Sequence, residues 1–222
     1  FELVENAELA KAEKVYLPQG ETEIQAVILA ASRGSKLGDL TKDIPKCMID
    51  IRGQPLLRRL ASTFSQGNIK NITVVRGYKK ETVNLPFIEY VDNDAYESTG
   101  EVSSLNVAIE NLNNPSIIAY GDILFRHYIL DQLLDAEGDI VLIVDALWRQ
   151  KDPNPSSRTR DLVTCSEEFD SSYLGNEVVR LMNIAHDIPE NEIHGEWIGL
   201  AKFSGVGIQK LREEIQKFSK SG

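Results

Sequence analysis

With 222 residues, the chain has the length of one α/β domain that buries roughly 70% of its extended surface. Its net charge of −10 and pI near 4.9 exclude a nucleic-acid-binding surface, which needs an excess of Lys and Arg. Cys47 and Cys165 are too few for a disulfide framework or a zinc site, and no apolar run reaches the roughly 20 residues of a membrane span, so a reducing, cytoplasmic setting is expected.

Residues 1–20 carry the acidic, amphipathic stretch ELVENAELAKAEKVYL, ended by Pro18 and Gly20. They read as a helix and linker outside the core, and the main domain spans 21–222. Ala26, Val27, Ile28 and Leu29 follow as an unbroken apolar run, the pattern of a central parallel strand covered on both faces. Ala30, Ala31, Ser32 and Gly34 then keep the side chains small, so backbone N–H groups beyond the strand approach an anion closely. Arg33 contributes a planar fork and Lys36 a point charge. Pro45 fixes the backbone before Lys46, which returns to the same anion from the far side. Gly34 and Gly38 are not followed by the Lys-Ser or Lys-Thr of a P-loop, and no G-x-G-x-x-G occurs. The stretch 26–46 reads as a triphosphate cradle.

Two segments, LAASRGSKL and IPKCMIDIRGQPLLRR, resemble the sugar-phosphate nucleotidyltransferase superfamily. Its signature joins an L-A-A-G-x-G-x-R-like loop, a P-K pair and a G-x-P-L turn. Ser32 stands here for the first glycine and Lys36 for the usual arginine; neither change removes the charge. The resemblance implies that Leu29, Ala30, Ala31, Ser32, Arg33, Gly34, Ser35 and Lys36 wrap a nucleoside triphosphate and that Lys46 stabilises the α-phosphate. ELAKAEKVYLP also resembles the last helix of phosphoenolpyruvate mutases, enzymes that open phosphonate biosynthesis and are sometimes fused to a nucleotidyltransferase. Residues 1–20 are therefore expected to be the tail of such a domain.

Beyond the cradle, Gly53-Gln54-Pro55 makes a turn and 56–64 has a helical apolar spacing. Strands are expected at 72–75 and 88–91, the first closing on Gly77-Tyr78, read as a structural turn without chemistry. A polar run at 92–101 precedes a helix beginning at Ser103 and Ser104, whose hydroxyls suit a helix cap. Resemblance to the cytidylyltransferase members implies a different role, in which Gly100, Glu101 and Ser104 contact the base, cytosine. A strand at 116–120 delivers Gly121-Asp122 to its carboxyl end, the edge where ligands bind in open α/β sheets. Its apolar surroundings argue for a shielded carboxylate, and by resemblance Asp122 holds Mg²⁺.

A strand at 139–144 ends in Asp145, which is open to three roles: holding a cationic substrate group, holding a helix end, or terminating the strand. The polar, proline-bearing residues 149–160 make a flap in which Arg149, Arg158 and Arg160 either clamp an anionic substrate or are solvated. Extended segments at 161–166 and 177–182 follow. The loop 186–195 holds two of the three histidines, without metal-histidine spacing. A last strand at 197–203 and a closing helix at 206–218 complete the chain. By resemblance Glu196, at the head of that strand, completes the metal site.

Alternating strands and helices make this a single Rossmann-like α/β domain, a mostly parallel mixed sheet with helices on both faces and one antiparallel or irregular insertion. The chemistry implied is attack of a phosphoryl or phosphonyl oxygen on the α-phosphate of CTP, releasing pyrophosphate. Such a nucleophile is already an anion, so the site must supply charge neutralisation and in-line placement rather than a base. The mutase-like tail and the arginine-bearing flap point to a small phosphonate as acceptor, 2-hydroxyethylphosphonate or 2-aminoethylphosphonate. Three alternatives have their own signatures. A phosphocholine cytidylyltransferase needs an aromatic cage, for which Trp148, Tyr173 and Trp197 are available. A sugar-1-phosphate enzyme usually carries a longer sugar-binding half. A non-catalytic nucleotide sensor binds nucleotide without releasing pyrophosphate.

Overall fold

The computed structural model describes residues 23–109, 112, 115–151, 159–169 and 178–221. Residues 1–20, expected to form a helix and linker with the mutase-like stretch, lie outside the described residues, as do Arg158 and Tyr173. In chain order the elements are β1 (Gln25–Ala30), α1 (Leu56–Gln66), β2 (Asn71–Arg76), β3 (Glu89–Asp92), α2 (Glu101–Ala108), β4 (Ser116–Tyr120), α3 (His127–Asp135), β5 (Ile140–Asp145), α4 (Trp148–Lys151), β6 (Leu162–Cys165), β7 (Leu181–Ala185), β8 (Gly195–Phe203) and α5 (Gly205–Ser221).

The strands form one mixed sheet in the order β3-β2-β1-β4-β8-β6-β7, with β5 also paired to β8. β1 lies between β2 and β4, parallel to both, which is the central position its unbroken apolar run predicts. β8 runs antiparallel to β4, β5 and β6, so β5 and β6 point the same way as β1 to β4. Only β7 and β8 run the other way among the described strands. β4 pairs with β8 as far as Ala119 opposite Leu200, and β6 takes over the same flank at Gly195 and Glu196. β5 lines the opposite flank and sets Asp145 against Glu196. The carboxyl ends of β1, β4 and β5 thus share one edge of the sheet, and β6 begins there, with Leu162 opposite Glu196.

Each face of β1 buries alternate residues under helices. Ala26, Ile28 and Ala30 pack with Leu57, Leu60 and Phe64 of α1 and Leu130 and Leu133 of α3. Val27 and Ala31 pack on the other side with Leu105 and Ala108 of α2 and Ile208 and Ile215 of α5. In α1 the buried positions Leu56, Leu57, Leu60, Ala61 and Phe64 form one stripe, and each large side chain contributes roughly 1.5–3 kcal/mol by leaving water. A smaller cluster of Trp148, Leu162 and Ile188 supports the sheet where it extends beyond β4.

Two expectations shift. The helix expected to open at Ser103 begins at Glu101, with extended Gly100 before it, so Ser103 and Ser104 lie inside its first turn and cap nothing. The strand expected at 177–182 is found at Leu181–Ala185, an edge strand whose first four residues are exposed. Residue 177 is outside the described residues. Neither face of β7 is covered well enough to leave a two-residue hydrophobic period in the sequence.

Candidate active site

The cradle is built so that its carbonyls are used and its N–H groups are left over. The Leu29 carbonyl accepts from the Gly121 N–H at 2.8 Å, Ala31 from Tyr78 N–H at 2.9 Å, and Arg33 from Lys46 N–H at 3.2 Å. The Gly34 carbonyl takes the Leu37 N–H at 3.0 Å and the buried Thr41 hydroxyl at 3.1 Å. Among the described residues, the backbone N–H groups of Ser32 to Lys36 meet no acceptor. A run of N–H donors on a loop with fixed carbonyls is an anion-binding concavity, and Ser32, Ser35 and Lys36 stand exposed around it.

Gly34 sits in the left-handed region at φ +75°, and a Cβ there would stand 2.8 Å from Lys46 Cβ. The absent side chain is what lets Lys46 cross the loop. Lys46 Nζ pairs with Asp122 Oδ2, joining the far end of the cradle to the carboxyl end of β4. Arg33 turns back over the loop, its Nε donating to the Thr41 carbonyl at 3.2 Å and its guanidinium 5.5 Å from the Tyr78 ring centre. Lys36 is exposed. Leu29, Ala30 and Ala31 form the floor where β1 ends.

Asp122 departs from one expectation: it is exposed, because the Gly121-Asp122 turn lifts it off the strand while only Ile123 and Phe125 after it pack on the core and Leu124 is exposed. The charge of Asp122 is nonetheless felt nearby. Burial pushes the Cys47 thiol up to about 12, its backbone hydrogen bond working against this and Asp122 adding to it. Burial also raises the Tyr120 hydroxyl, followed by the charges of Asp161, Glu101 and Asp122. Tyr120 therefore has three carboxylates about it, of which sequence reasoning passed over Asp161. Its ring packs on Trp197 with centroids 5.2 Å apart and lies across Gly199, in the gap where β8 has lost β4.

The stretch before α2 is organised by Asn93. This buried side chain donates to Ser104 Oγ at 3.0 Å and Thr99 Oγ1 at 3.2 Å and accepts from Ala95 N–H at 3.1 Å. Ser104 is buried with it, so its hydroxyl oxygen serves the loop itself. Gly100 and Glu101 are exposed at the helix start, and they are the two expected base contacts that face solvent. Asn93 is what shapes the segment.

The remaining expected residues meet one another. Arg160 donates to Glu196 Oε2 at 2.7 Å, both side chains more than nine-tenths buried, and its guanidinium stacks 4.8 Å from the Trp148 ring centre. Arg160 is thus a buried partner of Glu196, and its assignment as a clamp for an anionic substrate is corrected. Glu196 arrives as half of an ion pair. Asp145, opposite it on β5, accepts the Leu147 N–H at 3.0 Å, so one of its oxygens holds the turn into α4. Arg149 is exposed and donates to the Glu190 carbonyl at 2.9 Å. Among the described residues no group of three His, Cys, Asp or Glu side chains is arranged to hold a metal ion, and no helix is long and apolar enough to cross a membrane.

Residues 26–170 match the MobA-like NTP transferase domain. The CTP:phosphoglutamine cytidylyltransferase of Campylobacter jejuni is 30% identical over 82% of this chain and 73% of its own length. The choline-phosphate cytidylyltransferase of Haemophilus influenzae is 32% identical over 48% of each chain, and the 2-aminoethylphosphonate cytidylyltransferase of Lancefieldella rimae 30% identical over 39% of this chain and 37% of its own. The match thus spans less than half the length of the latter two relatives. In fold, the chain is similar to the CTP:phosphocholine cytidylyltransferase of Streptococcus pneumoniae, with a TM-score of 0.64 at 20% identity over 90% of this chain and 79% of that one. The inositol-1-phosphate CTP transferase of T. maritima gives 0.65 at 20% identity over 86% and 74%. With the domain match covering well over half its length and including the whole cradle, the chain belongs to the MobA-like NTP transferase domain family.

Proposed function

We propose that the protein transfers CMP from CTP to a small phosphonate, 2-aminoethylphosphonate or 2-hydroxyethylphosphonate, and releases pyrophosphate. The observation that carries this reading is the cradle, in which the N–H groups of Ser32 to Lys36 meet no acceptor among the described residues while Lys46 reaches Asp122 across it. A triphosphate would fill the nest of donors, with Arg33 and Lys36 along its oxygens and Lys46 at the α-phosphate. An acceptor oxygen then forms a bond to the α-phosphorus as the bond to pyrophosphate breaks, and Lys46 offsets the charge that develops. Asp122 suits a hard cation, being an exposed carboxylate beside that nest. Mg²⁺ held by Asp122 would supply charge neutralisation to the triphosphate. Glu196 would have to share its carboxylate with Arg160, which makes Asp122 the better ligand.

CTP is favoured by the relatives whose names carry it, and Gly100 and Glu101 are the exposed groups assigned to the base. For the acceptor, the charge of Asp161 felt at Tyr120 supports an ammonium tail, so the amino acceptor is preferred over the hydroxyl one. A quaternary ammonium is less well served. Trp148 already carries the guanidinium groups of Arg160 and Arg149 at 4.8 and 5.4 Å, and Trp197 packs on Tyr120. A second reading, phosphoglutamine as acceptor, is favoured by the 82% of this chain that the Campylobacter jejuni relative matches.

The test is pyrophosphate release from each of four nucleoside triphosphates with 2-aminoethylphosphonate, 2-hydroxyethylphosphonate, phosphoglutamine, phosphocholine and a sugar 1-phosphate. The reading expects the highest kcat/KM for CTP with 2-aminoethylphosphonate. A higher value for any non-phosphonate overturns the acceptor, a better triphosphate than CTP overturns the base, and binding without release identifies a sensor.

A further inference from the structure

We propose that Tyr78 is a positioning residue that closes the phosphate loop and aims Arg33 at the nucleotide. It rests on the reading of residues 26–46 as a triphosphate cradle.

Four contacts converge on this one side chain and its backbone. The Tyr78 N–H donates to the Ala31 carbonyl at 2.9 Å, fastening the turn after β2 to the residue where β1 gives way to the loop. Its hydroxyl donates to the Lys42 carbonyl, at the opposite end of the same loop. The two bonds span the loop from Ala31 to Lys42, so Tyr78 acts as a strut between its ends. The ring between these bonds carries the Arg33 guanidinium on one side, 5.5 Å from its centre. It meets the Tyr96 ring edge-on at 6.1 Å, and Tyr96 belongs to the segment that Asn93 organises before α2. Lys79, next in the chain, is held at φ +48°, a conformation a non-glycine residue keeps only where its surroundings enforce it.

The chemistry follows from what kinds of groups hold Arg33. Its partners are a carbonyl oxygen and an aromatic ring, both neutral. They restrict the guanidinium without cancelling its charge, which leaves that charge for a phosphate oxygen. Without the ring, Arg33 would keep one hydrogen bond and several rotamers, and ordering it would fall to the bound nucleotide.

The experiment is a double-mutant cycle on Tyr78 and Arg33, read as kcat and KM for CTP in pyrophosphate release. Tyr78→Phe keeps the ring and loses the Lys42 bond; KM for CTP is expected to rise on the order of five-fold, one hydrogen bond's worth, with kcat kept. Tyr78→Leu loses both and is expected to lower kcat as well, to the level of Arg33→Ala. The Tyr78→Leu, Arg33→Ala double variant is expected to keep the kcat of Arg33→Ala, with KM raised only by the lost Lys42 bond, because in kcat the second change removes the positioning of a group already gone. Losses in kcat that multiply, or unchanged kinetics in a Tyr78→Phe protein with a lowered Tm, overturn the proposal. If the wild-type protein releases no pyrophosphate from CTP, the function reading fails by itself, and the cycle is read as Kd for CTP by calorimetry with the same expectations. A wild-type protein that binds no nucleoside triphosphate overturns both.

Discussion

Replacing Lys46 by methionine separates the charge at the centre of the cradle from the packing around it. Gly34 leaves room for the Lys46 stem, with Lys46 Cβ and Cδ as the nearest atoms. Methionine keeps Cβ and Cγ, so the seat is largely filled and the ammonium alone is removed. In the folded protein the Lys46 and Asp122 side chains retain 36% and 34% of their exposure. Water screens a pair that open, and it contributes less than about 1 kcal/mol to folding. For a domain of this size that is a Tm change of no more than about 2–4 °C. The transition state weighs the same ammonium differently, because one charge-assisted donor to a developing charge is worth on the order of 10²–10³ in kcat. Lys46→Met is therefore expected to melt near wild type and to turn over two to three orders of magnitude more slowly, as such a donor's loss implies. Scanning fluorimetry and pyrophosphate release on one preparation give both numbers. Near-normal kcat in a variant of unchanged Tm refutes the role of Lys46, and a collapse of Tm refutes the argument that the pair is screened.

Gly199→Ala should destabilise the domain by about 2–4 kcal/mol, since φ is +79° there and a Cβ collides with the Tyr120 ring; wild-type urea stability would contradict this. The Cys47 thiol, raised from 9.0 to about 12 by burial, keeps its proton in the folded chain where the unfolded chain releases it. Its contribution to stability is whole below the unfolded value and lost as pH rises from there through the folded one, so a maleimide at mildly alkaline pH should label Cys47 only after unfolding. Arg160→Met removes the buried partner of Glu196 and is expected to cost about 3–5 kcal/mol, much of it recovered by adding Glu196→Leu. A double variant no more stable than the single one would show that the two residues are not coupled.

What was legible in the sequence was whatever a short stretch expresses alone. β1 and β4 are buried on both faces, so four or five consecutive apolar residues marked them, and the 116–120 expectation matches β4 residue for residue. The cradle was legible because its small residues, cations and proline fall within one loop. Asp122 was found from its place after β4, but its exposure was misjudged, since the apolar residues that follow it describe where the chain goes next and not where the carboxylate points. The Arg160 and Glu196 pair lies 36 residues apart in the chain and leaves no local pattern. Each residue taken singly suggested a ligand, whereas only the register of β6 and β8 shows that they meet. Tyr78 was read as a turn former because its partners, Ala31, Lys42 and Arg33, belong to a loop more than thirty residues away.

An acidic chain that must hold a polyphosphate faces a selection problem among its own cations, and the contacts divide them. Arg76 donates to Asp92 at 2.9 Å and Arg160 to Glu196 at 2.7 Å, so each guanidinium is neutralised by a carboxylate and serves the fold. Arg33 is held by a carbonyl and a ring and keeps its charge for a ligand. Arg149 falls between them, bound to the Glu190 carbonyl at 2.9 Å with the Glu190 carboxylate at 4.0 Å and both groups well exposed. Lys46 is the informative exception, because its partner is itself a carboxylate at the ligand edge. Both members lie open to solvent, and a nucleotide that gives Lys46 a phosphate oxygen and Asp122 a cation replaces one weak pair with two stronger ones.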